Sequence, residues 1–159
     1  MKTRLAIILL AVAALFSSCG TTAVTPAEVA RYSNSIINHD LVIDIISIQP
    51  SKGAIRYPGG ACFFTIKDGT IDGRLPFFGD AFNSLFSGDD VSYVFNKSAI
   101  DITENFTKAE KGRYIYTFDA QTAGREKVSF VITFTKSGRA DIIAKCTNRS
   151  LMTYTGQIR

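Results

Sequence analysis

From residue 100 to residue 158, nearly every large apolar side chain stands at an even position. Ile100, Ile102, Phe106, Tyr114, Tyr116, Phe118, Val128, Phe130, Ile132, Phe134, Ala140, Ile142, Ala144, Cys146, Met152, Tyr154 and Ile158 make up the series. The odd positions between them are mostly Thr, Ser, Asp, Lys or Arg, with Ile115, Val131 and Ile143 among the exceptions. A period of two sends successive side chains to opposite faces of an extended chain. The stretch therefore predicts antiparallel strands with one buried face, over 99–106, 113–120, 127–135, 139–147 and 152–158. Keeping one parity across hairpins requires loops of odd length. A two-residue turn at Ser137-Gly138 would set Phe134 against Asp141. A three-residue loop, Lys136-Ser137-Gly138, sets Phe134 against Ala140 and places Gly138 in the left-handed region.

The preceding segment fits the same class. Val42 to Gln49 is β-branched, and Ala61–Lys67 and Thr70–Leu75 flank Asp68-Gly69, a strong hairpin turn. Pairing across that turn sets Ile66 against Ile71 and Cys62 against Leu75. Before them, Thr25-Pro26-Ala27-Glu28 combines a capping box with proline at the first helical position. Val29, Tyr32 and Ile36 then share one face of a helix that should end near Asn38 or His39. The expected fold is mainly β: an antiparallel meander of eight or nine strands with one N-terminal helix. A sandwich and an incomplete barrel both satisfy the pattern.

The N-terminus reads differently. Lys2 and Arg4 precede an uninterrupted apolar run from Leu5 to Phe16, 12 residues long. A membrane-spanning helix needs about 20, so the run suits a secretory leader. Leu15-Phe16-Ser17-Ser18-Cys19 resembles a bacterial lipobox, which implies acylation of the Cys19 thiol and cleavage before it. The expected organisation is a lipoprotein signal peptide at 1–18, a lipidated tether at 19–25, and a single mainly β domain at 26–159. By the same resemblance the chain belongs in the cell envelope, lipid-anchored to the outer membrane and facing the periplasm. The mature part suits one domain, burying roughly two-thirds of its unfolded surface without a metal or disulfide framework. The formal net charge is +4. The charges form no basic stripe, so nucleic acid is not an expected partner.

The run Gly69 to Gly79 (GTIDGRLPFFG) and the C-terminal sequence carry a further resemblance. Lys136-Ser137-Gly138-Arg139-Ala140 leads there to Thr147-Asn148-Arg149-Ser150 and Tyr154-Thr155-Gly156-Gln157-Ile158. Together these are similar to the domain of unknown function 4251 family of bacterial envelope lipoproteins, over most of residues 28–158. That family's glycine-rich segment after the aromatic motif is thinner here, at Ser87-Gly88-Asp89-Asp90. The resemblance implies fold and compartment and adds no chemistry.

Catalytic groupings are sparse. His39 is the only histidine, which leaves a Ser-His-Asp triad or a His-rich zinc site little support. Asp68, Asp72, Asp80, Asp89 and Asp90 lie near one another in sequence without calcium-loop spacing. No catalytic residue, metal site or cofactor is expected. The informative stretch is Leu75 to Phe86. It is read either as a plug closing the core or as a binding surface for an apolar molecule or an envelope protein, with Leu75, Pro76, Phe77, Phe78, Gly79, Phe82 and Phe86 as candidate residues. Phe77 and Phe78 should point to opposite sides. Pro76 is expected to reset the strand parity, which makes Phe78 the buried ring. Cys62 and Cys146 are the candidate disulfide, since both are placed on the buried face. The expected function is that of a non-enzymatic, membrane-tethered binding module. A carboxylate-dependent hydrolase and a structural envelope component are the alternatives.

Overall fold

The computed structural model describes residues 24–59, 62–80 and 92–159. The segment expected as a signal peptide, 1–18, the expected lipidation site Cys19, and the candidates Phe82, Phe86, Asp89 and Asp90 lie outside these residues. Helix α1 (Pro26–Ile37) begins at the expected cap. The Thr25 hydroxyl accepts from the Glu28 amide at 3.3 Å, and the Glu28 carboxylate accepts from the Thr25 amide at 2.8 Å. Tyr32 and Ile36 form its buried face.

Nine strands follow among the described residues: β1 (Leu41–Pro50), β2 (Phe63–Lys67), β3 (Thr70–Leu75), β4 (Tyr93–Ala99), β5 (Thr103–Asn105), β6 (Arg113–Gln121), β7 (Lys127–Thr135), β8 (Arg139–Cys146) and β9 (Arg149–Ile158). They form one antiparallel sheet in the order β4-β3-β2-β1-β9-β8-β7-β6-β5. The sheet curls into a half-barrel. β4 begins one edge and β6 lies next to the other, yet the Ala123 amide reaches the Val94 carbonyl at 2.8 Å and the Gln121 amide reaches Ser98 Oγ at 3.0 Å. Of the two architectures compatible with the sequence, the incomplete barrel is the one observed.

The even-parity reading holds through β6 to β9. Tyr114, Tyr116, Phe118, Val128, Phe130, Ile132, Phe134, Ala140, Ile142, Ala144, Cys146, Met152, Tyr154 and Ile158 are buried, while Val131 and Ile143 face outward. Phe134 pairs with Ala140, and Gly138 has φ of 79°. The Asp68-Gly69 turn has both residues at positive φ, and Ile66 pairs with Ile71.

Three expectations need correction. The strand expected at 99–106 is only Thr103–Asn105; Ile100, Ile102 and Phe106 are half-buried and pack against the core from irregular backbone. The segment at 93–98, to which the sequence pattern assigns no strand, belongs to β4. Its inward residues Tyr93 and Phe95 have odd parity, and Asn96-Lys97-Ser98 ends the alternation after two members. The last strand begins at Arg149 instead of 152, because Thr147-Asn148 alone make the turn. In β1, a bulge between Ile45 and Ser47 switches the inward set from Leu41, Ile43 and Ile45 to Ile48 and Pro50. No single period therefore runs along that strand.

Helix α1 closes one end of the half-barrel. The Tyr116 hydroxyl donates to the Ile36 carbonyl, and the Tyr114 hydroxyl donates to Ser33 Oγ at 3.2 Å. The interior between the ends is filled by large side chains. Tyr93, Tyr116, Tyr154, Phe64, Phe95, Phe130 and Phe134 are each less than 2% exposed. The described parts of the connections β1–β2, β3–β4, β6–β7 and β8–β9 gather at the other end, called here the loop end.

Candidate functional site at the loop end

Two turns build the site. In the β6–β7 connection, the Thr122 amide donates to the Glu126 carbonyl at 2.9 Å, and the Glu126 amide donates to Thr122 Oγ1 at 3.0 Å. Arg125 takes up positive φ there, and Glu126 turns inward. The tight β8–β9 turn brings Arg149 opposite Cys146, whose other neighbour is Val128 at the start of β7. Glu126 and Arg149 therefore meet under the loops. Arg149 Nε donates to Glu126 Oε1 at 3.0 Å and Nη2 to Oε2 at 2.5 Å, a two-pronged contact between side chains 5% and 4% exposed. Such a pair survives burial only when its hydrogen bonds are well met.

Aromatic rings complete the surroundings of the guanidinium, which lies 5.2 Å from the Phe77 ring centroid and 5.0 Å from that of Tyr93. The two rings meet edge to face at 5.6 Å. Cys146 Sγ lies 3.7 Å from Glu126 Oε1, and burial raises its thiol pKa. The Tyr93 hydroxyl is buried without a hydrogen-bond partner among the described residues.

The aromatic segment is pinned onto this pair. Leu75 ends β3 and is buried. The Pro76 carbonyl accepts from the Tyr154 hydroxyl at 2.9 Å. The Ser150 amide donates to the Asp80 carbonyl, and the Asp80 amide donates to Ser150 Oγ, both at 2.9 Å. Gly79 lies so near that a Cβ on it would fall on the Ser150 hydroxyl oxygen and against the Phe77 ring. Phe77 and Phe78 do point apart, but their roles are the reverse of the expectation. Phe77 is 6% exposed, and Phe78 is 42% exposed beneath the Arg56 guanidinium, 4.9 Å from its centroid. Pro76 ends the ladder without resetting its alternation, so the inward odd series Ile71 and Leu75 extends to Phe77.

Other singled-out residues stand apart from the site or are engaged elsewhere. The structure does not join Cys62 and Cys146. Both are free, and β1 and β9 lie between their strands in the sheet order. A shared inward parity placed both thiols on one face and left the order of the strands open. His39 sits at the helix end, 2.6 Å from Glu104 Oε1. Asp72 Oδ1 accepts from the Lys97 amide at 3.2 Å. Among the described residues, no group of three or more His, Cys, Asp and Glu is placed to hold a metal ion. None of their helices is long and apolar enough to cross a membrane.

Solved structures include one of this architecture, a DUF4251 family protein from Bacteroides eggerthii DSM 20697. It superposes with a TM-score of 0.58 at 16% identity, covering 83% of this chain and 87% of that chain. Identity that low shows the fold alone. The sequence decides the family: a profile described as Domain of unknown function (DUF4251) matches residues 25–158. The chain belongs to this DUF4251 family. The matched span opens at the α1 cap and closes at the end of β9, so Cys19 falls before it. No curated protein matches the chain.

Sequence reasoning missed Glu126 and Arg149, although Arg149 stands within one of the motifs that carried the family resemblance. One signal was legible. Arg149 and Ser150 are consecutive polar residues where the even-parity pattern approaches its last strand, and both are buried. A charged residue at such a place has to find a partner.

Proposed function

We propose that this DUF4251 chain is a lipid-anchored protein of the bacterial cell envelope that binds a protein partner through its loop end and performs no catalysis there. The observation that carries the reading is the division of labour between adjacent rings. Phe77 is locked inside by the Glu126–Arg149 pair, while Phe78 is displayed with Tyr57 and Ile55, which are 73% and 53% exposed on the neighbouring β1–β2 connection. The Ile48–Arg56 bridge holds that connection against the sheet and carries Arg56 to Phe78. Exposed aromatic and arginine side chains on a braced scaffold are the usual anchors of protein interfaces. The packed interior favours a protein over an enclosed apolar molecule. Glu126, the buried carboxylate among the described residues, has both oxygens engaged by Arg149. That arrangement suits a clamp better than the acid–base pair of a hydrolase.

Anchoring rests on the lipobox-like sequence ending at Cys19, followed by a short tether of small residues. Acylation with more than one chain makes attachment durable, since each buried methylene contributes about 0.8 kcal/mol. Outer-membrane attachment facing the periplasm follows from the same reading. Two variants test it. Cys19→Ser should leave the protein uncleaved or released from the membrane. Phe78→Ala should stay folded and anchored and lose the partner that co-purifies with wild type. Membrane attachment of Cys19→Ser by a cleaved N-terminus, or an unchanged partner with Phe78→Ala, contradicts the corresponding half.

A further inference from the structure

The end of the half-barrel that carries α1 gathers four cations on one rim. Between β5 and β6, a single 3-10 turn (Ala109–Lys111) brings Lys108, Lys111 and Arg113 together, with the Arg113 amide donating to the Lys108 carbonyl at 3.1 Å. The β7–β8 turn adds Lys136, whose amide donates to the Gly112 carbonyl at 2.9 Å and whose side chain lies over Gly112. Four cations thus share one rim with Glu110, while the nearby Glu28 carboxylate on the first turn of α1 is taken up by its own helix cap. All four are exposed, and none of them makes an ion pair among the described residues. Three other cations on this end are engaged: Lys67 pairs with Asp40 at 3.0 Å, Arg139 with Asp141 at 2.9 Å, and Arg31 donates to the Arg159 carbonyl at 3.0 Å.

The chain leaves the domain at this same rim. Val24, Pro26 and Val29 line one shallow groove with Lys136 and Ser137. Cys19 lies five residues before Val24, and five residues reach at most about 18 Å. An acyl anchor on Cys19 therefore holds this rim within a short distance of the headgroups. There the potential of anionic lipids still acts on clustered lysines and arginines.

We infer that the Lys108–Lys111–Arg113–Lys136 rim docks on the anionic surface of the bilayer that holds the Cys19 lipid, directing the loop end away from the membrane. The inference rests on the anchored reading above. The test uses the full-length protein, purified from membranes and reconstituted into phosphatidylcholine vesicles with or without phosphatidylglycerol. Each lysine is then labelled by an impermeant amine reagent and read by peptide mass. Phosphatidylglycerol should lower labelling of Lys108, Lys111 and Lys136 several-fold, spare Lys52 and Lys145 at the loop end, and lose its effect in high salt. A K111E/K136E variant that melts like wild type should show no such protection at Lys108. Equal labelling in both vesicle types, or equal loss at Lys52 and Lys145, overturns the docking. Protection that is independent of phosphatidylglycerol points to a protein contact and overturns it as well. The mass of the Cys19 peptide reports acylation separately. An acylated protein with an unprotected rim refutes the docking alone. A protected rim on an unacylated protein supports the surface contact and refutes the anchor.

Discussion

Arg149 at the start of β9 grips Glu126 at the foot of β7 through two parallel hydrogen bonds, almost wholly out of water and under the rings of Phe77 and Tyr93. Removing one member leaves a buried charge without its counterpart, which costs about 3–5 kcal/mol. Arg149→Met alone should lower stability by that amount in urea unfolding. Adding Glu126→Leu should recover much of the loss. A single variant as stable as wild type would show that the pair holds nothing together.

Tyr93, Tyr116 and Tyr154 are buried to different effect. The Tyr116 and Tyr154 hydroxyls donate to backbone carbonyls, whereas that of Tyr93 has no partner among the described residues. A buried hydroxyl without a partner costs about 1–3 kcal/mol. Tyr93→Phe should therefore raise the melting temperature, and Tyr154→Phe should lower it. Equal shifts in the two variants would contradict this assignment.

Burial raises the pKa of all three phenols above the ordinary range. In the unfolded chain they ionise near pH 10, while in the folded chain they hold their protons. Above that pH the unfolded state binds fewer protons, so stability falls as pH rises. It is fully present below about pH 10. A steep alkaline unfolding, made shallower by each Tyr→Phe substitution, should appear in fluorescence titrations. A pH-independent melt between 9 and 12, a range spanning the ordinary phenol value of about 10, would contradict it.

Gly138 closes the β7–β8 loop at φ of 79°, and a Cβ there would meet the Tyr32 ring carbons at 2.9 Å. Gly138→Val combines backbone strain of about 1–3 kcal/mol with displacement of the helix that closes the barrel. A chemical denaturation midpoint unchanged from wild type would refute this geometry.

Much of the fold is legible in the sequence because one physical constraint repeats. Where a strand has one wet face, alternation reports it, and β6 to β9 follow that rule except at Arg149, an odd residue buried at the start of β9. Legibility fails where the chain departs from a strict ladder. The β1 bulge switches parity inside one strand, β4 offers only Tyr93 and Phe95 before turning polar, and Ile100 and Phe106 reach the core from irregular backbone. The candidate site was legible in half. The Leu75–Gly79 segment was recognisable from its composition, and the alternation through Pro76 foretold Phe77 only if the proline left parity alone. The Glu126–Arg149 pair joins turns 23 residues apart, and no local pattern announces such a meeting.

The two rings of that segment separate stability from recognition. Phe77→Ala empties a buried volume and should cost about 3–5 kcal/mol. Phe78→Ala removes a ring 42% exposed and should leave the melt close to wild type. Loss of stability in the Phe78 variant equal to that in the Phe77 variant would make the whole segment a plug.

The central claim, that the loop end receives a protein partner, is tested most directly by photocrosslinking in intact cells. A photoreactive amino acid is placed at Phe78 and, as a control of equal exposure, at Ile143 on the outer face of β8; the two native side chains are 42% and 41% exposed. One discrete crosslinked protein is expected from position 78, absent from position 143 and abolished by Tyr57→Ala in the same chain. No adduct at 78, or the same adducts from both positions, would contradict it.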